Sequence, residues 1–169
     1  MEQQCSVDDH LGGGTRAAST KDLVVRCSVD VCVVKVSEKA RVLVADDHPL
    51  TLASLQAILA PYYQLVGAVS DGRALVEEAL LLKPDLVILD ISMPLLNGIE
   101  AARQIRESLP QAKLLFVTMH TSPTYVQAAL DAGGTGYVVK SLAHEELLAA
   151  AEKVLSGEIY MTPGLSLPD

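Results

Sequence analysis

From Arg41 onward, five short apolar runs alternate with amphipathic segments, and this alternation limits the fold more than any other feature of the chain. The runs are Arg41–Ala45, Gln64–Ser70, Asp85–Leu89, Lys113–Thr118 and Gly136–Val139, all rich in Val, Leu or Ile. Most are continuous rather than alternating, the pattern of strands covered on both faces. Between and after them, Leu52, Leu55, Ile58 and Leu59 recur at helical spacing, as do Leu75, Val76, Ala79 and Leu80. Ile99, Ala102, Ile105 and Leu109 repeat the pattern, and so do Leu147, Leu148, Ala151, Val154 and Leu155. Ser122 before Pro123 predicts a shorter helix over Pro123–Asp131, with Ser122 as its N-cap. Strands and helices in alternation predict an α/β fold, a doubly wound parallel sheet of five strands with helices on both faces.

Residues 1–40 have a different character. They hold Gly12-Gly13-Gly14, small polar residues and a valine-rich stretch from Leu23 to Val36 that is interrupted by charges. A mostly disordered extension is expected there, with an added strand as the alternative. Cys5, Cys27 and Cys32 all fall in this region. An odd number confined to one segment is a poor disulfide framework, and Cys27 and Cys32 lack a second Cys or His pair for zinc. Free thiols and a cytoplasmic location are expected.

Half of the 169 residues are apolar, which excludes a mostly disordered chain. The net charge of −8 disfavours direct DNA binding, because phosphate contacts need clustered Lys and Arg. Glu2, Asp8 and Asp9 stand where a signal peptide would carry positive charge, and no apolar run approaches a membrane span.

In an open parallel sheet, ligands bind beyond the carboxyl ends of the strands, at the point where strand order reverses. Here the first run ends in Asp46-Asp47, the third in Asp90, the fourth in Thr118 and the fifth in Lys140. Singly, each has an ordinary role: a helix cap, a turn residue, a solvated charge. Independent caps have no reason to recur at four strand ends of one sheet. Three clustered carboxylates repel one another unless a cation is present, and few protein ligands completed by water suit Mg²⁺ better than Ca²⁺. With the charge neutralised, Asp90 can act as a nucleophile toward phosphorus, forming an acyl phosphate. Lys140 would neutralise the spreading charge and the Thr118 hydroxyl would donate to a phosphoryl oxygen.

The stretches Val42–His48, Asp85–Pro94, Thr118-Met119-His120 and Gly136–Lys140 resemble the receiver domains of two-component response regulators, from about Arg41 to Pro163. The Asp46-Asp47-His48-Pro49-Leu50 opening and the stretch from Thr118 to Tyr160 look most like the NarL/FixJ (LuxR-type) subfamily. The resemblance implies a flavodoxin-like sheet of order 2-1-3-4-5 and a receiver over residues 41–160. It implies that Asp90 accepts a phosphoryl group from a sensor histidine kinase. Asp47 would bind Mg²⁺ directly and Asp46 mainly through water, with Asp90 and the Ser92 backbone carbonyl as further ligands. Thr118 and Tyr137 would form a switch pair, Tyr137 turning inward on phosphorylation, and Lys140 would contact the phosphoryl group. A homodimer is a further implied partner. Ser92 and His120, flanking the site, are read as tuning hydrolysis of the acyl phosphate.

Three departures from the family pattern bear on this reading. Lys140 precedes Ser141 where many receivers have proline after a cis bond, which leaves the isomer open. Gly133, Gly134 and Gly136 superficially resemble a phosphate loop, but the Lys and Ser/Thr of such a loop do not follow. They read as a helix terminator. Residues 161–169 read as the start of a linker to a DNA-binding helix-turn-helix outside this sequence. A stand-alone receiver acting in a phosphorelay or by binding a partner is the alternative. A haloacid-dehalogenase-like hydrolase would need a second Asp two residues after the nucleophile, where Ser92 stands.

Overall fold

The computed structural model describes residues 39–167. The readings made for residues 1–38, including the extension and the three cysteines, lie outside the described residues. The elements run β1 (Arg41–Ala45), α1 (Pro49–Leu59), β2 (Gln64–Val69), α2 (Gly72–Leu82), β3 (Leu86–Leu89), α3 (Gly98–Ser108), β4 (Lys113–Thr118), α4 (Pro123–Asp131), β5 (Gly136–Val139), α5 (Ala143–Ser156) and β6 (Tyr160–Met161). A single 3₁₀ turn, Lys140–Leu142, joins β5 to α5.

All strand pairings are parallel and the order is β2-β1-β3-β4-β5-β6. This corrects the five-stranded expectation: a sixth strand, two residues long, pairs Tyr160 with Gly136 and Met161 with Tyr137. Two residues are too few to show periodicity, so the sequence carries no strand signal there.

Alternate residues of each central strand face opposite layers. Leu43, Val87, Leu89, Leu114, Phe116 and Tyr137 join residues of α2, α3 and α4 in one apolar cluster. Val42, Val44, Leu86, Ile88, Leu115 and Val138 join α1 and α5 in the other. Both faces of β3, β4 and β5 are therefore buried, which explains why those runs are continuously apolar. Each fully buried Leu, Ile or Val contributes about 1.5–3 kcal/mol of transfer free energy, so the sheet is a rigid platform.

The helix ends follow local chemistry. Asp71 caps α2 by accepting from the Ala74 N–H at 2.8 Å, and Asn97 caps α3 through the Glu100 N–H at 2.9 Å. Ser122 does precede α4, but its side chain makes no capping bond; only its carbonyl accepts, from Tyr125 and Val126. Pro123 supplies the helical φ at that end instead. At the other end of α4, Gly133 adopts φ +92°, its N–H donating to Leu130 while the Gly134 N–H reaches back to Ala129. This double bond pattern terminates the helix and accounts for the glycine pair without any phosphate loop. No peptide bond among the described residues is cis, so Lys140–Ser141 is trans.

Candidate functional site

The order of the sheet reverses at β1, which is followed by β2 on one side and flanked by β3 on the other. The crevice outside the carboxyl ends of β1 and β3 is thus the expected ligand site. Asp46 and Asp47 follow β1 there, and Asp90 follows β3. One carboxylate oxygen from each lies within 4.8 Å of the others. Asp46 and Asp90 are buried, whereas Asp47 faces solvent.

Backbone donors fix the two buried carboxylates. Asp46 Oδ1 accepts the His48 N–H at 2.9 Å, and Asp90 Oδ1 accepts the Ile91 N–H at 2.7 Å. The second oxygens converge on Lys140, whose Nζ lies 2.7 Å from Asp90 Oδ2 and 2.8 Å from Asp46 Oδ2. The contact with Asp46 Oδ2 is an ion pair without hydrogen-bond alignment, and no other donor reaches that buried oxygen. Burial works to lower the Lys140 pKa, but pairing with Asp46 and Asp90 outweighs it and the net shift is upward. The ammonium therefore stays charged.

The charge balance of the crevice is a test of the expected metal. Three carboxylates converge there against one ammonium, and a hard divalent cation is the partner that such an all-oxygen donor set with excess negative charge favours. The residues present fit Mg²⁺.

The remaining groups named from sequence surround this cluster. Thr118, fully buried at the end of β4, accepts the His120 N–H through Oγ1 at a long 3.4 Å. Tyr137 is 1% exposed, and its hydroxyl donates to the His120 carbonyl at 2.8 Å. The ring thus already lies inward, with Phe116 stacked at 6.3 Å between centroids. Burial, followed by the charge of Asp90 and by Tyr125, pushes its phenol up to about 12. Ser92 Oγ and His120 Nε2 are 2.8 Å apart, and the His120 ring stacks on Tyr125 of α4 at 4.0 Å.

Two supporting features escape sequence reasoning. Gly98, the first residue of α3, sits so close to the loop after β3 that a Cβ would lie 1.9 Å from the Asp90 carbonyl oxygen. The Asn97-Gly98 pair is its only sequence signal, and it reads equally well as a helix start. Tyr125 has no signal at all, since its partner His120 belongs to a different element.

Residues 42–152 match the family model of the response regulator receiver domain. The chain belongs to the response regulator receiver family. Among curated relatives, it is 34% identical over 129 residues to the transcriptional regulatory protein MctR of Rhizobium johnstonii, covering 75% of this chain and 60% of that protein. Among solved structures, a LuxR-family two-component response regulator from Aurantimonas sp. SI85-9A1 superimposes with a TM-score of 0.72 at 33% identity, covering 75% of this chain and 92% of that one. The signal receiver domain of the NarL response regulator from Mycobacterium tuberculosis gives 0.68 at 32% identity, covering 72% and 99%. The relatives and most of the structural neighbours are of the NarL/LuxR type, as the opening and closing motifs imply. The chain spans about 60% of the length of the curated relatives that it matches. A receiver is a signalling domain rather than a conventional enzyme.

Proposed function

We propose that this chain is the receiver of a NarL/LuxR-type transcriptional regulator and that Asp90 accepts a phosphoryl group from a phosphohistidine of a sensor histidine kinase. The observation that carries the reading is the convergence of Asp46, Asp47, Asp90 and Lys140 in one crevice at the switch point of the sheet. In the reaction an Asp90 carboxylate oxygen bonds to phosphorus, the phosphorus–nitrogen bond of the donor breaks, and the imidazole leaves with a proton. Mg²⁺ held by Asp46, Asp47, Asp90 and the Ser92 carbonyl would neutralise the carboxylates and the incoming phosphoryl oxygens.

This chain's own residues do the rest. The Ile91 N–H fixes one Asp90 oxygen, leaving the carboxylate a single orientation. Lys140 would offer its ammonium to phosphoryl oxygens, and Thr118 would donate its hydroxyl to them. Drawing Thr118 toward the phosphoryl group loosens its long contact with His120, whose carbonyl holds the Tyr137 hydroxyl. Thr118 and Tyr137 thereby act as the switch pair. We read residues 41–160 as the receiver, residues 161–169 as leading toward a DNA-binding domain, a second copy of the chain as a partner, and the cytoplasm as the location. Among the described residues, no helix is long and apolar enough to cross a membrane.

Acetyl phosphate with Mg²⁺, followed by mass spectrometry, tests the assignment. One stable phosphoryl adduct mapped to Asp90 supports it. Labelling elsewhere, or rapid turnover of the donor with no adduct, overturns it, the latter in favour of a hydrolase.

A further inference from the structure

Four polar or charged side chains are buried among the described residues: Asp46, Asp90, Thr118 and Thr162. Three belong to the crevice. Thr162 stands just after β6, on the segment leaving the domain, and the proposed chemistry makes no use of it. Its hydrogen-bonding capacity is nonetheless engaged on every side. Its N–H donates to the Tyr137 carbonyl at 2.9 Å. Its hydroxyl accepts the Val139 N–H at 3.1 Å and donates to Glu146 Oε2 of α5 at 2.6 Å.

The two β5 residues it grips are those that matter at the site. Tyr137 carries the switch ring, and Val139 immediately precedes Lys140. The apolar contacts repeat the connection: Met161 and Leu165 pack against the same cluster that holds the Tyr137 ring. Undocking the segment would leave the buried Val139 N–H without a partner and would uncover that cluster, so segment and strand settle together.

We propose that Thr162 is a positioning residue coupling the segment Tyr160–Leu165 to the phosphoryl site, so that this segment reports the state of Asp90. The inference rests on the phosphoacceptor reading above. A phosphoryl group at Asp90 holds the Lys140 ammonium through stronger charge-assisted bonds than the carboxylate does. Lys140 is continuous with Val139, and a firmer hold on one steadies the seat of Thr162. Linkage makes the effect reciprocal: a loosened Thr162 weakens phosphoryl binding by the same factor.

The test uses the full chain with Mg²⁺ and beryllofluoride as a phosphoryl mimic, reading amide hydrogen exchange over residues 158–167. The Tyr160 and Thr162 amides slow by about fivefold or more when the mimic binds. Thr162→Val abolishes that slowing and weakens mimic binding by the same factor with Mg²⁺ affinity unchanged, whereas Thr162→Ser retains both. Leu59→Ala, which loosens the opposite face of the sheet, also retains both and so separates coupling from lost stability. Mimic binding with unaltered exchange in the unsubstituted chain overturns the coupling and leaves the phosphoacceptor reading standing, and that arm needs no variant to fold. Thr162→Val behaving as the unsubstituted chain does the same. Failure of the unsubstituted chain to bind the mimic overturns both readings together.

Discussion

Lys140 and Asp90 are fifty residues apart in the chain, yet the Lys140 ammonium lies 2.7 Å from Asp90 Oδ2, and it is shared with Asp46 Oδ2 at 2.8 Å. One ammonium thus faces two buried carboxylates. Lys140→Ala removes that ammonium and leaves like charges facing each other. The loss in stability should be about 1–3 kcal/mol, below the range for fully buried pairs because the ammonium is partly open to water. Thermal melts in chelator should show the full loss, and Mg²⁺ should recover most of it. Equal losses with and without Mg²⁺ would count against a shared cation site. Conformational switching by phosphodonor should fail in this variant while Mg²⁺ binding persists.

Asp90→Asn keeps the size and the hydrogen bond from Ile91 but removes the nucleophilic carboxylate. Incorporation of phosphoryl groups from acetyl phosphate should fall to background. Normal labelling of this variant, read by intact mass, would refute the assignment of the acceptor.

Tyr137 gives a pH signature. Its phenol is pushed up to about 12, chiefly by burial, whereas a phenol in the unfolded chain titrates near 10. The native state holds this proton more tightly, so the stabilisation is complete below pH about 10 and is lost as pH rises toward about 12. Urea midpoints of the unsubstituted chain should drop between about pH 9 and about pH 11.5, and Tyr137→Phe should show a smaller drop. Identical drops would place the titration elsewhere.

Ser92 and His120 are joined by a 2.8 Å contact, Tyr125 stacks on the imidazole, and we read the pair as tuning hydrolysis of a phosphoryl group on the nearby Asp90. On that reading, Ser92→Ala or His120→Ala would expose the proposed acyl phosphate to water. The adduct half-life should shorten by up to about tenfold, a barrier change of no more than roughly 1.4 kcal/mol. An unchanged half-life in both variants would remove the tuning role.

Gly98→Ala places a methyl 1.9 Å from the Asp90 carbonyl oxygen, a contact no rotamer relieves. Either α3 or the Asp90 loop must shift. The expected result is a cost of about 1–3 kcal/mol together with slower phosphorylation, because the displaced atoms belong to the proposed acceptor residue. Gly157→Ala provides the contrast: nothing lies within 4 Å of its Cβ, and only the backbone strain at φ +93° is incurred.

The legible part of this molecule was whatever repeats at short range. Runs such as Leu86–Leu89 and spacings such as Ile99, Ala102 and Ile105 announce strands and helices because burial on two faces, or on one, imposes a period. The strand-end acids were legible for the same reason, since each sits at the end of a run. Pairings between distant elements were not. Thr162 contacts Val139 and Glu146 across 23 and 16 residues, and a two-residue strand offers no pattern to mark it. Ser122 shows the opposite error: a favourable cap residue whose side chain the local geometry leaves unused.

Asp46, Asp47, Asp90, Thr118 and Lys140 lie at one rim, at the carboxyl ends of β1, β3, β4 and β5, while Pro61–Tyr62 and Pro110–Gln111 turn in solvent at the other. The far rim is accordingly the place to attach a dye, an affinity handle or an inserted peptide. Probes anchored at Tyr62 or Gln111 ride on the same rigid scaffold as Asp90 yet stand a full strand length from the chemistry, so they can watch the domain work without taking part.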